Sequence, residues 1–111
     1  MAAPGLRGNL KTQQLTLAAA GTQVIEAAVA GKLIEVVSFS FGISVNTALP
    51  SFESSAGTVL AGPYDGASPI FPASGRMNSP LFWTAIGEGL TFRTAGAGLV
   101  KGHITYRIVS V

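Results

Sequence analysis

The chain is punctuated so densely that long regular elements have no room. From Leu15 onward it breaks into short apolar runs separated by Gly, Pro, Asn and Ser. Runs compatible with strands cover residues 14–18, 22–28, 33–43, 49–54, 58–60, 68–71, 81–85, 89–94 and 101–109. Turn signals lie between them: Ala20-Gly21, Ala30-Gly31-Lys32, Asn46-Thr47, Ala56-Gly57, residues 63–66, Ser74-Gly75, Asn78-Ser79-Pro80, Gly87-Glu88-Gly89 and residues 95–98. Glycine and proline supply the backbone angles that tight turns need, and short strands with evenly spaced turns define a sandwich or barrel. An all-β domain with antiparallel strands is therefore expected, and 111 residues suffice for a single one.

Side-chain alternation supports this reading. In the last run Ile104, Tyr106 and Ile108 share one face, while His103, Thr105, Arg107 and Val109 share the other. Leu90 and Phe92 alternate with Thr91 and Arg93 in the same way. The run 33–43 changes phase: Ile34 and Val36 fall on one face, then Val37, Phe39 and Phe41 on the opposite one. A bulge near Val36-Val37, or burial on both faces, explains such a switch. The one helical competitor is 18–30, where Ala-rich segments favour helix. Gly21 and Gly31 bracket that segment and Val24-Ile25 prefer strands, so strand is the expectation. Residues 1–14 hold Gly, Pro and Gln with two isolated cations and read as an N-terminal arm; 15–111 form the sandwich.

Composition narrows the function. Only 11% of residues are charged, less than half the ~25% usual in soluble domains. Hydrophobic residues reach 48%, largely alanine and valine, beside 14 glycines. A surface of Ala, Gly, Ser and Thr carries little repulsion between copies, which suits a protein that works packed against copies of itself or a partner. The net charge of +2 comes from scattered basic residues with no cluster to track a phosphate backbone, so nucleic acid is not expected as a partner. No run is long and apolar enough to span a bilayer, and the N-terminus lacks the apolar core of a secretory signal, so a protein made in the cytoplasm is expected.

The inventory for catalysis is thin. There is no cysteine, and the single histidine, His103, sits in the outer phase of the last strand. A catalytic histidine needs a nucleophile and an orienting carboxylate, and one histidine without other strong ligands does not make a zinc site. Glu26, Glu35, Glu53, Asp65 and Glu88 are spread one per segment. The glycines of 96–102 precede a strand, whereas a dinucleotide fingerprint opens a helix; hairpin turns account for them and for Gly87-Glu88-Gly89. No catalytic residue, cofactor or metal is expected. The aromatics carry more information. Phe39, Phe41, Phe71, Phe82, Trp83, Phe92 and Tyr106 mostly alternate with small residues, as core fillers do. Phe82 and Trp83 are adjacent, so a strand points them to opposite faces, and one of them leaves the core to cover a neighbour or a partner.

Three segments resemble small virion proteins of tailed bacteriophages, of the capsid decoration (cement) type. Residues 24–38, VIEAAVAGKLIEVVS, are similar to their opening strand–turn–strand. Residues 82–92, FWTAIGEGLTF, resemble an aromatic–Thr/Ala–Gly-Glu–x-Leu hairpin, and 100–109, VKGHITYRIV, a closing G-x-x-x-Y-x-x-V strand. The resemblance implies a jelly-roll-like β-sandwich on the capsid exterior. It implies self-association, as a trimer ahead of a dimer, and the major capsid protein as partner. On this reading the arm, through Leu6, Arg7, Asn9 and Lys11, lies along the capsid, and Phe82 and Trp83 serve contacts with partners. A fibre, tail or baseplate module that binds a host glycan or another virion protein is the alternative.

Overall fold

A computed structural model describes residues 10–44, 48–64 and 80–110, together with the backbone of 68–74. Nine strands follow one another among the described residues: β1 (Lys11–Leu17), β2 (Gly21–Glu26), β3 (Lys32–Ile43), β4 (Pro50–Ser54), β5 (Val59–Ala61), β6 (Ser68–Ser74), β7 (Phe82–Trp83), β8 (Leu90–Thr94) and β9 (Val100–Ser110). Each coincides with a run expected from the sequence. The differences are at the ends. β1 begins at Lys11, so Lys11, Thr12 and Gln13 belong to a strand. The 18–30 competitor resolves as β2 followed by a turn that closes on a bond from Lys32 N to Val29 O, 3.1 Å.

The strands form two antiparallel sheets. One has the order β1-β9-β3-β6, with β7 also on β3; the other has the order β2-β8-β4-β5. The chain thus crosses between sheets at every step except β4 to β5 and β6 to β7, the interleaved order of a jelly roll. β6 and β7 divide one edge of β3. β6 pairs with the stretch from Ser38 to Ile43, and β7 pairs at Glu35 and Val36. The segment after β7 continues along that edge through Thr84 N to Ile34 O, 2.9 Å, and Gly87 N to Lys32 O, 2.7 Å.

The phase change in β3 is a bulge: its register on β9 slips between Val36 and Ser38. One extra residue lets Ile34 and Val36, then Phe39, Phe41 and Ile43, all face inward. The core between the sheets is aromatic at its centre. Phe39, Phe41, Phe52 and Phe92 are buried there, with Leu15, Ile34, Leu90 and Ile104 around them.

Close strand approach explains two glycines that a phosphate-loop reading would miscast. A Cβ on Gly89 would lie 2.6 Å from Glu26 O and 2.8 Å from Ala28 N. Gly102 is paired on both sides, with Leu15 of β1 and Phe41 of β3, and its Cβ would press on the β3 backbone.

Candidate functional site

The sandwich offers two outer faces and the edges of its sheets. On the first sheet the outward register rows are Thr12–Thr105–Ser38 and Gln14–His103–Ser40. The Thr12 and Thr105 hydroxyls meet at 3.4 Å. His103 is exposed here, in the phase read from the sequence. These two rows are small and polar, and the next, Thr16–Lys101–Gly42, adds one exposed cation.

Further along the same face Glu35 and Arg107 are cross-strand partners, with Arg107 Nε donating to Glu35 Oε1 at 2.8 Å. Arg107 is only 2% exposed although it lies in the outward phase. Sequence alternation placed it correctly, yet could not disclose its burial. Burial of a charge is costly, and the short bond to Glu35 offsets part of that cost.

Trp83 continues the row, opposite Glu35, and stands 56% exposed. Phe82 turns the other way, its ring 5.5 Å from that of Phe52 and 6.4 Å from that of Phe39. The adjacent pair thus splits between core and surface, as period-two geometry requires. Ile86, three residues on, is also exposed. Leu6, Arg7 and Asn9 lie outside the described residues. Lys11 is tied to the sandwich, its Nζ 3.2 Å from Glu26 Oε1.

Glu26 Oε1 also accepts from the Tyr106 hydroxyl at 2.9 Å. Burial, then the hydrogen bond to Glu26 and its negative charge, push the Tyr106 phenol from 10.0 up to about 12. The folded state therefore holds this proton more tightly than the unfolded chain. The stability it contributes is complete below pH 10 and declines as pH rises through about 12. Tyr106→Phe is expected to flatten the loss of stability over that interval. Urea midpoints followed across it, with and without the substitution, provide the check; equal slopes would count against the assignment.

The second sheet carries a shallow depression of about 200 Å³ on its outer face. Ser51, Glu53 and Arg93 supply its polar groups, and Leu49, Val59 and Pro63 its apolar walls. Arg93 Nη1 lies 3.6 Å from Glu53 Oε2, and the Ser51 hydroxyl donates to the same oxygen at 3.4 Å. The pair neutralises itself, which leaves no net charge to attract an ionic ligand. Leu49 enters β4 with a positive φ of 48°.

The β1 edge is built differently. Gln23 of β2 reaches across to β1: its Oε1 accepts from Thr16 N at 2.9 Å, and its Nε2 donates to Gln14 O at 2.7 Å. Nothing in the sequence singled out Gln23, except that it shares the inward phase of Ile25. Among the described residues no group of three or more His, Cys, Asp or Glu is placed to hold a metal ion, and no helix is long and apolar enough to cross a membrane.

No protein-family model matches the chain, and no curated protein matches it in sequence. Among solved structures, a chain of the cyanophage Pam1 capsid asymmetric unit matches with a TM-score of 0.50 and 17% identity, over 96% of this chain and 91% of that one. A chain of the disulfide-linked pili that form Bacillus endospore appendages follows at a TM-score of 0.41 and 10% identity, over 100% of this chain and 96% of that one. A chain of T=1 particles derived from infectious bursal virus gives 0.43 and 14%, but this chain spans only 31% of it. The Pam1 likeness defines the class by fold: a single jelly-roll sandwich shared almost end to end with a phage capsid chain.

Proposed function

We propose that the chain is a structural virion protein of the capsid decoration type, which self-associates and bridges major capsid proteins on the outside of a phage head. The observation that carries this reading is the extent of the Pam1 match, nine-tenths or more of both chains, with little added or missing. The sandwich thus shares its fold, over nearly its full extent, with a chain of a phage capsid. The surface supports the same role. The Thr/Ser rows of the first sheet carry little charge to desolvate apart from Lys101, and exposed Trp83 and Ile86 supply the apolar anchors that interfaces concentrate. A trimer on a capsid symmetry axis would close such contacts. The residue inventory, with one histidine and no cysteine, favours assembly over catalysis.

In this proposal Leu6, Arg7 and Asn9 lead the arm onto the capsid, while Lys11 fixes its root at Glu26. Because β1 starts at Lys11, an arm deletion should stop short of it. Removal of residues 2–9 is expected to leave a folded oligomer that no longer sediments with capsids. Undiminished co-sedimentation of the truncated protein would sink the arm's part in the reading. Imaging of purified virions that found the protein at a tail or fibre would move the assignment to the alternative module.

A further inference from the structure

We infer that the Gln23 side chain guards the β1 edge of the sandwich against pairing with a strand of a second copy. Strand β1 is bonded to β9 on one side, and among the described residues no strand lies on the other. Gln14 O and Thr16 N both meet Gln23, so the main-chain groups of these residues point away from β9. By alternation the groups of Thr12 point the same way. A bare edge of this kind is a template for another chain.

The segment invites such pairing. Lys-Thr-Gln-Gln-Leu-Thr-Leu has one charge, no proline and no glycine, which is the composition of strands that stack. An edge proline and a bulge are missing from it, its register on β9 is unbroken, and its one charge in the inward phase, Lys11, stands at the first position, paired with Glu26 and four residues from Leu15. Gln23 supplies the protection instead. An added parallel strand would set one residue opposite Leu15, donating its N–H to Gln14 O and accepting from Thr16 N. The carboxamide does both at once, at 2.7 and 2.9 Å, in the middle of the strand. An antiparallel strand would need Gln14 O and Thr16 N as well, and it would meet the Gln23 side chain in its path. The side chain belongs to β2 of the other sheet, so the guard also ties the two sheets together at their shared open side.

The test compares the full chain with Gln23→Met, which keeps length and volume and removes both hydrogen bonds. The variant is expected to form species of about twice the parent's mass or more, growing with concentration, by sedimentation velocity. The Thr16 amide, protected in the parent, is expected to exchange faster in the dilute variant. A second substitution, Thr16→Pro, removes the outward N–H without touching the bonds to β9, because proline is tolerated on that side of an edge strand. The double variant is expected to return to the parent's mass. A Gln23→Met protein that exchanges Thr16 faster yet keeps the parent's mass at every concentration overturns the inference, since the contact is then only a staple. Association that Thr16→Pro fails to reverse also overturns it, because the growth then runs through another surface. Gln23→Ala, read in the same way, decides the question if the methionine variant does not fold. Loss of the fold in both overturns the inference, Gln23 being then a requirement of the sandwich itself.

Discussion

Gly102→Ala is expected to cost about 3–5 kcal/mol, a large share of the ~5–15 kcal/mol that holds a domain of this kind together. The reason is distance, not backbone freedom. Facing Cβ atoms of paired antiparallel residues sit roughly 4.5–5.5 Å apart. A methyl on Gly102 would stand 2.6 Å from Phe41 Cβ and 2.5 Å from Phe41 Cα. Main chain cannot swing aside as a long side chain can, so β9 would have to separate from β3 in mid-sheet. Gly87 provides the contrast. Its φ is 82°, yet a Cβ there would meet nothing within 4 Å. Gly87→Ala should therefore cost only the left-handed backbone penalty, about 1–2 kcal/mol. Urea unfolding of the two variants side by side separates the effects; a Gly102→Ala protein no weaker than Gly87→Ala would refute the close-approach account.

Phe52→Ala is expected to destabilise by about 3–5 kcal/mol through the void it leaves. Phe52 is fully buried and central. Its ring lies 4.8 Å from Phe39, 5.0 Å from Phe92, 5.5 Å from Phe82 and 6.1 Å from Phe41, so it joins aromatic residues of both sheets. Deleting it removes a partner from four rings at once. Phe52→Leu, which refills most of the volume, should recover a good part of the loss. Thermal unfolding reads the order expected: parent, then leucine, then alanine. Equal melting of the alanine variant and the parent would show that the aromatic cluster does not hold the sheets together.

Much of this fold is legible in the residues because local chemistry and burial agree. Turn glycines and prolines mark where strands stop, and period-two alternation assigns Ile104, Tyr106, Leu90 and Phe92 to the core. The phase slip at Val36-Val37 announces the bulge, and the adjacency of Phe82 and Trp83 announces that one ring faces outward. What stays illegible depends on partners distant in sequence. Phe52 lies between Ser51 and Glu53 in a short strand, so its own surroundings do not mark it as the centre of the core. Arg107 reads as an outward cation until Glu35 is brought beside it across 72 residues of chain. Gln23 has no local signal for its role, because both groups it bonds belong to another strand. β1 looked shorter than it is because an edge strand needs few apolar side chains; only Leu15 is fully buried in it. The candidate surfaces follow the same division: that one ring of Phe82 and Trp83 faces outward could be reasoned from two letters, though not which, whereas the Ser51–Glu53–Arg93 depression exists only once β4 lies against β8.

The position of β9 between β1 and β3 sets the order in which the protein can come into being. β1 and β3 have no bonds to each other; each is bonded to β9, with Thr12 and Thr105 touching across 93 residues. On the ribosome the first sheet therefore cannot be completed until β9 has emerged. Until then β1 lacks its bonded neighbour, and β3 is paired on one edge only, by β6 and β7. Pairings so remote in sequence close slowly and leave sticky intermediates while they wait. Sparse charge, which suits a finished subunit among its copies, gives a half-made one little protection, so the window between synthesis and closure is the vulnerable moment in this protein's life.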